Sequence, residues 1–173
     1  MSAVSPKADK KRLQEDTTRR WIRVKYYNYD IVFQEIPGEV TLAVNITHCP
    51  NHCPGCHSPH LQEDIGEPLD KQTLDNILKR YGRSVTCVCF MGGDATPDEV
   101  QLLADHVRKT TPLKVAWYSG KQPIPDNFHH FDYVKVGPYD AQRGSLKERT
   151  TNPRLLKNVD GIPVDITDKF WKK

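Results

Sequence analysis

An almost uninterrupted apolar run, SVTCVCFM at residues 84–91, constrains the fold of this chain more than any other feature. A strand that is apolar on both faces is typical of the interior of a parallel sheet, where other elements cover both sides. The run ends at Gly92-Gly93, and Thr96 with Pro97 then marks the start of a helical pattern. The sequence therefore predicts a strand buried inside an α/β structure.

Strand and helix patterns alternate along the rest of the chain, which favours parallel pairing. A strand is also predicted at 39–46, 113–119, 131–137 and 162–167, a helix at 71–81 after an Asp70 N-cap and at 97–109, and a hairpin from 21–27 and 30–36 turning at Asn28-Tyr29. Residues 138–160 look polar and irregular. An eight-unit barrel needs about 250 residues. We therefore predict an α/β fold with a truncated, partial (β/α) barrel-like, mostly parallel sheet of about five to six strands, flanked by helices.

Length and charge indicate one domain with a short basic leader. The 173 residues suit a single core over residues 21–167, followed by a tail at 168–173. Residues 1–20 carry a net charge of +3 and are predicted to be a disordered leader, while the remainder is neutral. A neutral body argues against nucleic-acid binding. Since no apolar run reaches the roughly 20 residues of a membrane helix and no signal peptide is visible, we expect a cytoplasmic protein without membrane attachment.

The segment HCPNHCPGCHSPH, residues 48–60, contains three of the five cysteines, Cys49, Cys53 and Cys56. An odd cysteine count in a cytosolic chain favours metal or redox chemistry over a disulfide framework. A histidine can complete a zinc tetrahedron with three thiolates. Three thiolates on a cubane of four irons would instead leave one iron open to an outside molecule. The residues alone leave both alternatives standing.

Three polar features follow predicted strands and are expected to meet at one sheet edge. The cysteine segment follows 39–46, Gly92-Gly93-Asp94 follows 84–91, and Tyr118-Ser119-Gly120 ends a third strand. Ligands collect at the carboxyl ends of parallel strands. By contrast, Cys87 and Cys89 alternate within a buried strand and are predicted to pack as small apolar residues.

The spacing Cys49-x3-Cys53-x2-Cys56 resembles that of the radical S-adenosylmethionine (SAM) enzymes. The string CPNHCPGCH is similar to the activating proteins of the anaerobic ribonucleotide reductases. MGGD at 91–94, WYSGK at 117–121, and DYVKVGPYD with TTNPR at 132–140 and 150–154 resemble later segments of that family. Two positions depart from the pattern: Gly55 stands where the wider family often has an aromatic residue, and Pro153 stands where glutamine is common.

The resemblance implies a radical SAM oxidoreductase. Cys49, Cys53 and Cys56 would hold a 4Fe-4S cluster whose open iron chelates SAM, with no catalytic residue separate from that site. The implied SAM-binding residues are Gly55, Cys56, His57, Gly92, Gly93, Asp94, Tyr118, Ser119 and Lys135.

The implied reaction is reductive cleavage of SAM, followed by generation of a glycyl radical on the large subunit of the anaerobic (class III) ribonucleotide reductase. A reducing donor such as flavodoxin or ferredoxin would supply the electron. Two alternatives remain at this point. One is another radical SAM enzyme, either a different activase or a small-molecule enzyme such as a deazapurine synthase. The other is a zinc-stabilised protein-binding module.

Overall fold

The computed structural model describes residues 24–171, so the predicted leader lies outside the described residues. Within this range, two α-helices and eight strands follow one another, with short 3-10 turns between some of them. In chain order they are β1 (Lys25–Val32), β2 (Thr41–Ile46), β3 (Glu67–Pro68), α1 (Lys71–Tyr81), β4 (Cys87–Met91), α2 (Pro97–Thr110), β5 (Lys114–Tyr118), β6 (Tyr133–Val136), β7 (Arg154–Val159) and β8 (Ile162–Asp165).

All eight described strands form one mixed sheet in the order β3-β1-β2-β4-β5-β6-β7-β8. The central strands β2, β4, β5 and β6 pair in parallel. The pairs at both edges are antiparallel. The α/β class is therefore confirmed. The count of five to six mostly parallel strands is corrected to eight strands of mixed pairing, and the linear strand order does not establish a partial barrel.

The two faces of the sheet are covered by different elements: the α-helices on one face and other segments of the chain on the other. On one face, Phe90 and Trp117 pack with buried residues of both helices, such as Leu74 and Leu103. On the other face, Cys87 and Cys89 pack with residues from the segments before β2 and after β8. Both thiols are fully buried, and burial raises the pKa of each, so both stay protonated. Their predicted packing role is confirmed.

Both helices begin where the sequence predicts, but they are capped differently. The Asp70 carboxylate accepts the backbone N–H of Thr73 at 2.7 Å, as expected of an N-cap. The Thr96 side chain makes no capping bond. Its carbonyl instead accepts the backbone N–H groups of Glu99 and Val100 at 3.2 Å. Pro97 at the first position supplies the remaining start signal.

The predicted hairpin at Asn28-Tyr29 is wrong, because both residues lie inside the continuous strand β1. Tyr26 pairs with Ile46 and Asn28 pairs with Asn45, so Tyr27 forms a bulge rather than a turn. The chain reverses only at residues 33–38, before β2. The part of the prediction that fell on residues 21–23 lies outside the described residues.

The prediction of irregular structure across 138–160 is also corrected, since β7 occupies Arg154–Val159. Leu155 and Leu156 are both buried, on opposite faces of the sheet. This strand therefore carries only two core residues among polar neighbours. Its pairing partners β6 and β8, rather than its own pattern, make it a strand.

Candidate functional site

The candidate site lies at the carboxyl ends of the parallel strands. Residues 48–58, here called the cysteine loop, leave the sheet directly after β2. Backbone bonds of 3.0 Å tie the start of the loop to the returning chain, from His48 N–H to the Glu63 carbonyl and from Cys49 N–H to the Leu61 carbonyl. The loop is therefore held at its base, and its tip projects beyond the strand ends.

Cys49, Cys53 and Cys56 are free thiols, each partly exposed. The Cys56 N–H donates to the Cys53 carbonyl at 3.1 Å, which closes a tight turn at Gly55, where φ is 72°. Two of the sulfurs accept nitrogen donors: Cys56 Sγ from the Ser58 N–H at 3.4 Å, and Cys49 Sγ from the Asn51 amide at 3.6 Å. The loop thus presents three soft sulfur ligands, and hydrogen bonds hold two of them in place.

Asp94 is the centre of the site, with only 3% of its surface exposed. Its Oδ1 accepts the Ser119 hydroxyl at 2.6 Å. Its Oδ2 accepts the Asn51 side-chain amide at 2.6 Å and the Gly120 N–H at 2.7 Å. A carboxylate offers about four acceptor positions, so one remains, on Oδ1. One aspartate therefore joins the cysteine loop to the ends of β4 and β5.

The turn before Asp94 is fixed by β5. The Gly92 N–H donates to the Tyr118 carbonyl at 3.0 Å, and the Gly92 carbonyl accepts the Trp117 indole at 2.7 Å. Gly92 and Gly93 have φ of 103° and 95°, a region that favours glycine. The predicted Gly-Gly-Asp segment therefore lies beside the cysteine loop, as the strand ends suggested.

Tyr118 and Ser119 are separated by the alternation of strand side chains. Ser119 points to Asp94, whereas the Tyr118 hydroxyl donates to the Glu35 carbonyl on the other face. Burial raises the pKa of the Tyr118 phenol well above its ordinary value. Of this predicted pair, the structure brings Ser119 to Asp94 and engages the Tyr118 hydroxyl elsewhere.

Lys135 lies on β6 on the same side as Tyr118, with its Nζ 5.6 Å from the tyrosine ring centre and 3.1 Å from the Gly137 carbonyl. Burial lowers the pKa of Lys135. Asp94 and the thiol groups of Cys53, Cys89 and Cys49 act on this pKa in the opposite direction. The ammonium of Lys135 is thus within electrostatic reach of both the cysteine loop and Asp94.

The second half of the cysteine loop packs against residues 139–141. The His57 ring lies 4.7 Å from the Tyr139 ring, and a Cβ on Gly55 would lie 3.3 Å from that of Ala141. Two nearby histidines have ordinary partners: His52 meets Gln62 at 2.9 Å, and His60 packs edge-on against Tyr27. Among residues 24–171, no three His, Cys, Asp or Glu side chains converge on a point that suits a single metal ion.

The donor set fits an iron–sulfur cluster on chemical grounds. Thiolates are soft ligands that suit iron–sulfur clusters, and all three belong to one short loop. Each cysteine of a cubane binds a different iron, so the sulfurs need not meet at one point. Cys49, Cys53 and Cys56 are therefore residues whose chemistry suits such a cluster.

Sequence reasoning missed two residues of this site, Asn51 and Gly120. Asn51 lies between Cys49 and Cys53, among thiols and histidines that are stronger metal ligands than an amide. Gly120 was noted only as the end of a strand, yet a Cβ there would lie 2.4 Å from the Asn51 amide nitrogen. An amide spaced between metal-ligand candidates was the available signal for Asn51, and the position of Gly120 at the end of a predicted strand was the signal for Gly120.

Comparison with protein families gives one match. The sequence model of a family described as a 4Fe-4S single cluster domain matches residues 37–123, just over half of the chain. This segment contains the cysteine loop, Asp94, Ser119 and Gly120. No curated protein and no solved structure matches the chain. Within residues 24–171, no helix has the length and apolar character needed to cross a membrane.

Proposed function

The chain belongs to the family of 4Fe-4S single cluster domains, and on that premise we propose that it is a radical SAM activating enzyme. In this proposal, Cys49, Cys53 and Cys56 hold a 4Fe-4S cluster and leave one iron for SAM. The product is a glycyl radical on a partner protein, the large subunit of an anaerobic ribonucleotide reductase.

One observation carries the proposal: the 2.6 Å hydrogen bond from Asn51 to Asp94. It places a buried carboxylate next to the loop that carries the three thiols. A ligand that binds the open iron through an amine lone pair would still have amine N–H groups to donate, and Asp94 Oδ1 would accept one of them. SAM has such an amine, together with a carboxylate, and both groups are needed for chelation.

The chain's own residues would bind and orient SAM. Asp94 would accept the amine, and Gly92 with Gly93 would allow the backbone to approach the methionine part closely. Lys135 supplies a buried positive charge for the carboxylate, while Gly55, Cys56 and His57 would border the adenine. Ser119, bonded to Asp94, would border the ribose, whereas the Tyr118 hydroxyl is engaged by the Glu35 carbonyl on the other face. The bound cluster and SAM supply the one-electron cleavage chemistry.

The exposure of the loop tip suits a macromolecular substrate. His52, Pro54, Gly55 and His57 are all exposed. A loop of the reductase can approach such a tip, whereas a small-molecule enzyme normally encloses its substrate. A reducing protein such as flavodoxin or ferredoxin would deliver the electron from the same open side.

The first experiment measures iron, sulfide and SAM cleavage in protein prepared without oxygen. We expect a brown protein that forms 5′-deoxyadenosine from SAM when reduced, and a glycyl radical signal when the reductase is added. Cys53→Ala should lose the cluster and essentially all SAM cleavage, because two cysteine ligands do not hold a cluster that needs three. Cys87→Ala is the matched control: it removes a buried thiol of the same chemistry on the other side of the sheet, and should retain iron.

Different failures point to different alternatives. A colourless protein holding one tight zinc would contradict the enzyme and favour a zinc-stabilised binding module. SAM cleavage without a radical on the reductase would keep the radical SAM chemistry and reassign the substrate to another protein or a small molecule.

A further inference from the structure

The side-chain amide nitrogen of Asn51 donates two hydrogen bonds. One goes to Asp94 Oδ2 at 2.6 Å and the other to Cys49 Sγ at 3.6 Å. An amide nitrogen has only these two hydrogens to give. Both N–H groups of Asn51 are therefore used, one by a candidate cluster ligand and one by a buried carboxylate.

We propose that Asn51 is a positioning residue that links the Cys49 sulfur to Asp94, and through this link raises the reduction potential of the bound cluster and seats the loop on the sheet. The inference rests on the proposed binding of a 4Fe-4S cluster by Cys49, Cys53 and Cys56. It goes beyond that proposal by giving a role to a residue that is neither a cluster ligand nor a contact of SAM.

The direction of the effect follows from electrostatics. A hydrogen bond to a cluster sulfur stabilises the more negative, reduced state more than the oxidised state, and so raises the potential. Ser58 gives Cys56 a backbone bond of this kind. The bond to Cys49 differs because it comes from a side chain, which a substitution can remove.

The surroundings hold the amide in place from both sides. Asp94 is 3% exposed and is itself fixed by Ser119 and Gly120, so its Oδ2 offers a rigid acceptor. Gly120 also makes room for Asn51, since the three atoms nearest to a Cβ built there all belong to Asn51, beginning with the amide nitrogen at 2.4 Å. A methyl group at position 120 would push the amide away without changing the sequence of the cysteine loop.

This geometry gives two independent ways to break the link. Asn51→Ala removes both N–H groups, and Asn51→Asp keeps the shape while replacing the donors by a negative charge. Gly120→Ala displaces the amide from outside the loop. The matched control is His52→Ala, which changes the neighbouring loop residue, whose ring bonds Gln62 instead of Asp94 or a thiol.

The experiment is an anaerobic redox titration of the intact, cluster-loaded protein, followed by electron paramagnetic resonance, together with the rate of iron release to a chelator. Asn51→Ala and Gly120→Ala should both shift the potential to more negative values, and Asn51→Asp should shift it further. Iron release from these three variants should be faster by about tenfold. This figure is the lower end of the loss in metal affinity that follows removal of a ligand's hydrogen-bond partner. His52→Ala should keep the wild-type potential, and circular dichroism should show all four variants folded.

A wild-type potential in Asn51→Ala or in Gly120→Ala would overturn the proposal. The same negative shift in His52→Ala would also overturn it, because any disturbance of the loop would then suffice. A wild-type protein that binds no iron–sulfur cluster would refute the proposed function itself. Iron and sulfide in the wild type are therefore measured before any variant is compared.

Discussion

Two buried carboxylates stand at opposite ends of the parallel strands, and they differ in the charge of their donors. At the amino ends, Glu39 accepts the Lys114 ammonium at 2.5 Å, the Thr86 hydroxyl at 2.6 Å and the Tyr133 hydroxyl at 2.8 Å. At the carboxyl ends, Asp94 accepts only neutral donors, from Asn51, Ser119 and Gly120. Within residues 24–171, Asp94 forms no ion pair.

The difference separates a structural carboxylate from one that is prepared for a ligand. Glu39 has its charge balanced by Lys114 and joins the starts of four strands. Asp94 is held in one orientation by neutral donors and keeps one acceptor position. The Lys135 ammonium acts on it only from beyond ion-pair distance, so a donor group of a bound ligand can still pair with it directly.

The largest effect on stability is expected at the amino end. Glu39→Ala should lower the free energy of unfolding by about 2 to 4 kcal/mol, because the buried Tyr133 hydroxyl loses its acceptor and three bonds disappear. Urea unfolding measures this, with the exposed Glu67→Ala as the control, which should stay within about 0.5 kcal/mol of wild type. A similarly small loss of unfolding free energy for Glu39→Ala would contradict the structural role of Glu39.

Asp94→Asn tests the other half, on binding. The substitution keeps the shape and removes the charge, so SAM affinity should fall about 10- to 100-fold, the equivalent of one charge-assisted bond. Unfolding free energy should change little. Calorimetry on the cluster-loaded protein measures the affinity, with Asp98→Asn as the control because this exposed carboxylate lies in the first turn of α2. Unchanged SAM affinity in Asp94→Asn would show that Asp94 is structural, like Glu39.

The dependence of stability on pH should come from the amino end. Burial acts to raise the pKa of Glu39, but hydrogen bonds from Lys114, Thr86 and Tyr133 and the Lys114 charge outweigh it, so the folded pKa lies below the ordinary 4.5. The resulting stabilisation is fully present above about pH 4.5 and is lost as pH falls through the folded pKa. Between pH 7 and 3, wild type should therefore lose more unfolding free energy than Glu39→Gln. Parallel curves for the two proteins would contradict this assignment.

The smallest effect is expected from the counter-ion itself. The Lys114 side chain is 51% exposed, so water screens its pairing with Glu39. Lys114→Met should cost about 1 to 2 kcal/mol in urea unfolding, less than Glu39→Ala, because the buried Glu39 carboxylate loses its counter-ion but keeps two hydroxyl donors. A loss as large as that of Glu39→Ala would mean that charge pairing, rather than the hydroxyl bonds, stabilises this end.

Patterning allowed most of the central fold to be predicted. The apolar run at 84–91, the Asp70 cap and the Thr96-Pro97 start describe structure that neighbours in sequence dictate, and each was confirmed. The errors fell at the sheet edges. β1 continues through Asn28 because β2 offers it a partner across a bulge, and β7 forms between β6 and β8 despite its polar sequence. Both strands lie next to an edge strand and depend on long-range pairing, which local propensity does not encode.

The sequence by itself determined the inventory of the site: three thiols at one spacing, two glycines, an aspartate and the strands that carry them to one edge. Only the tertiary structure decided which side chains face one another there. It directed Ser119 to Asp94 and the Tyr118 hydroxyl to Glu35, because neighbouring strand residues point to opposite faces. It also joined Asn51 to Asp94 across 43 positions of sequence, since a hydrogen bond requires a distance and an angle that spacing along the chain does not specify.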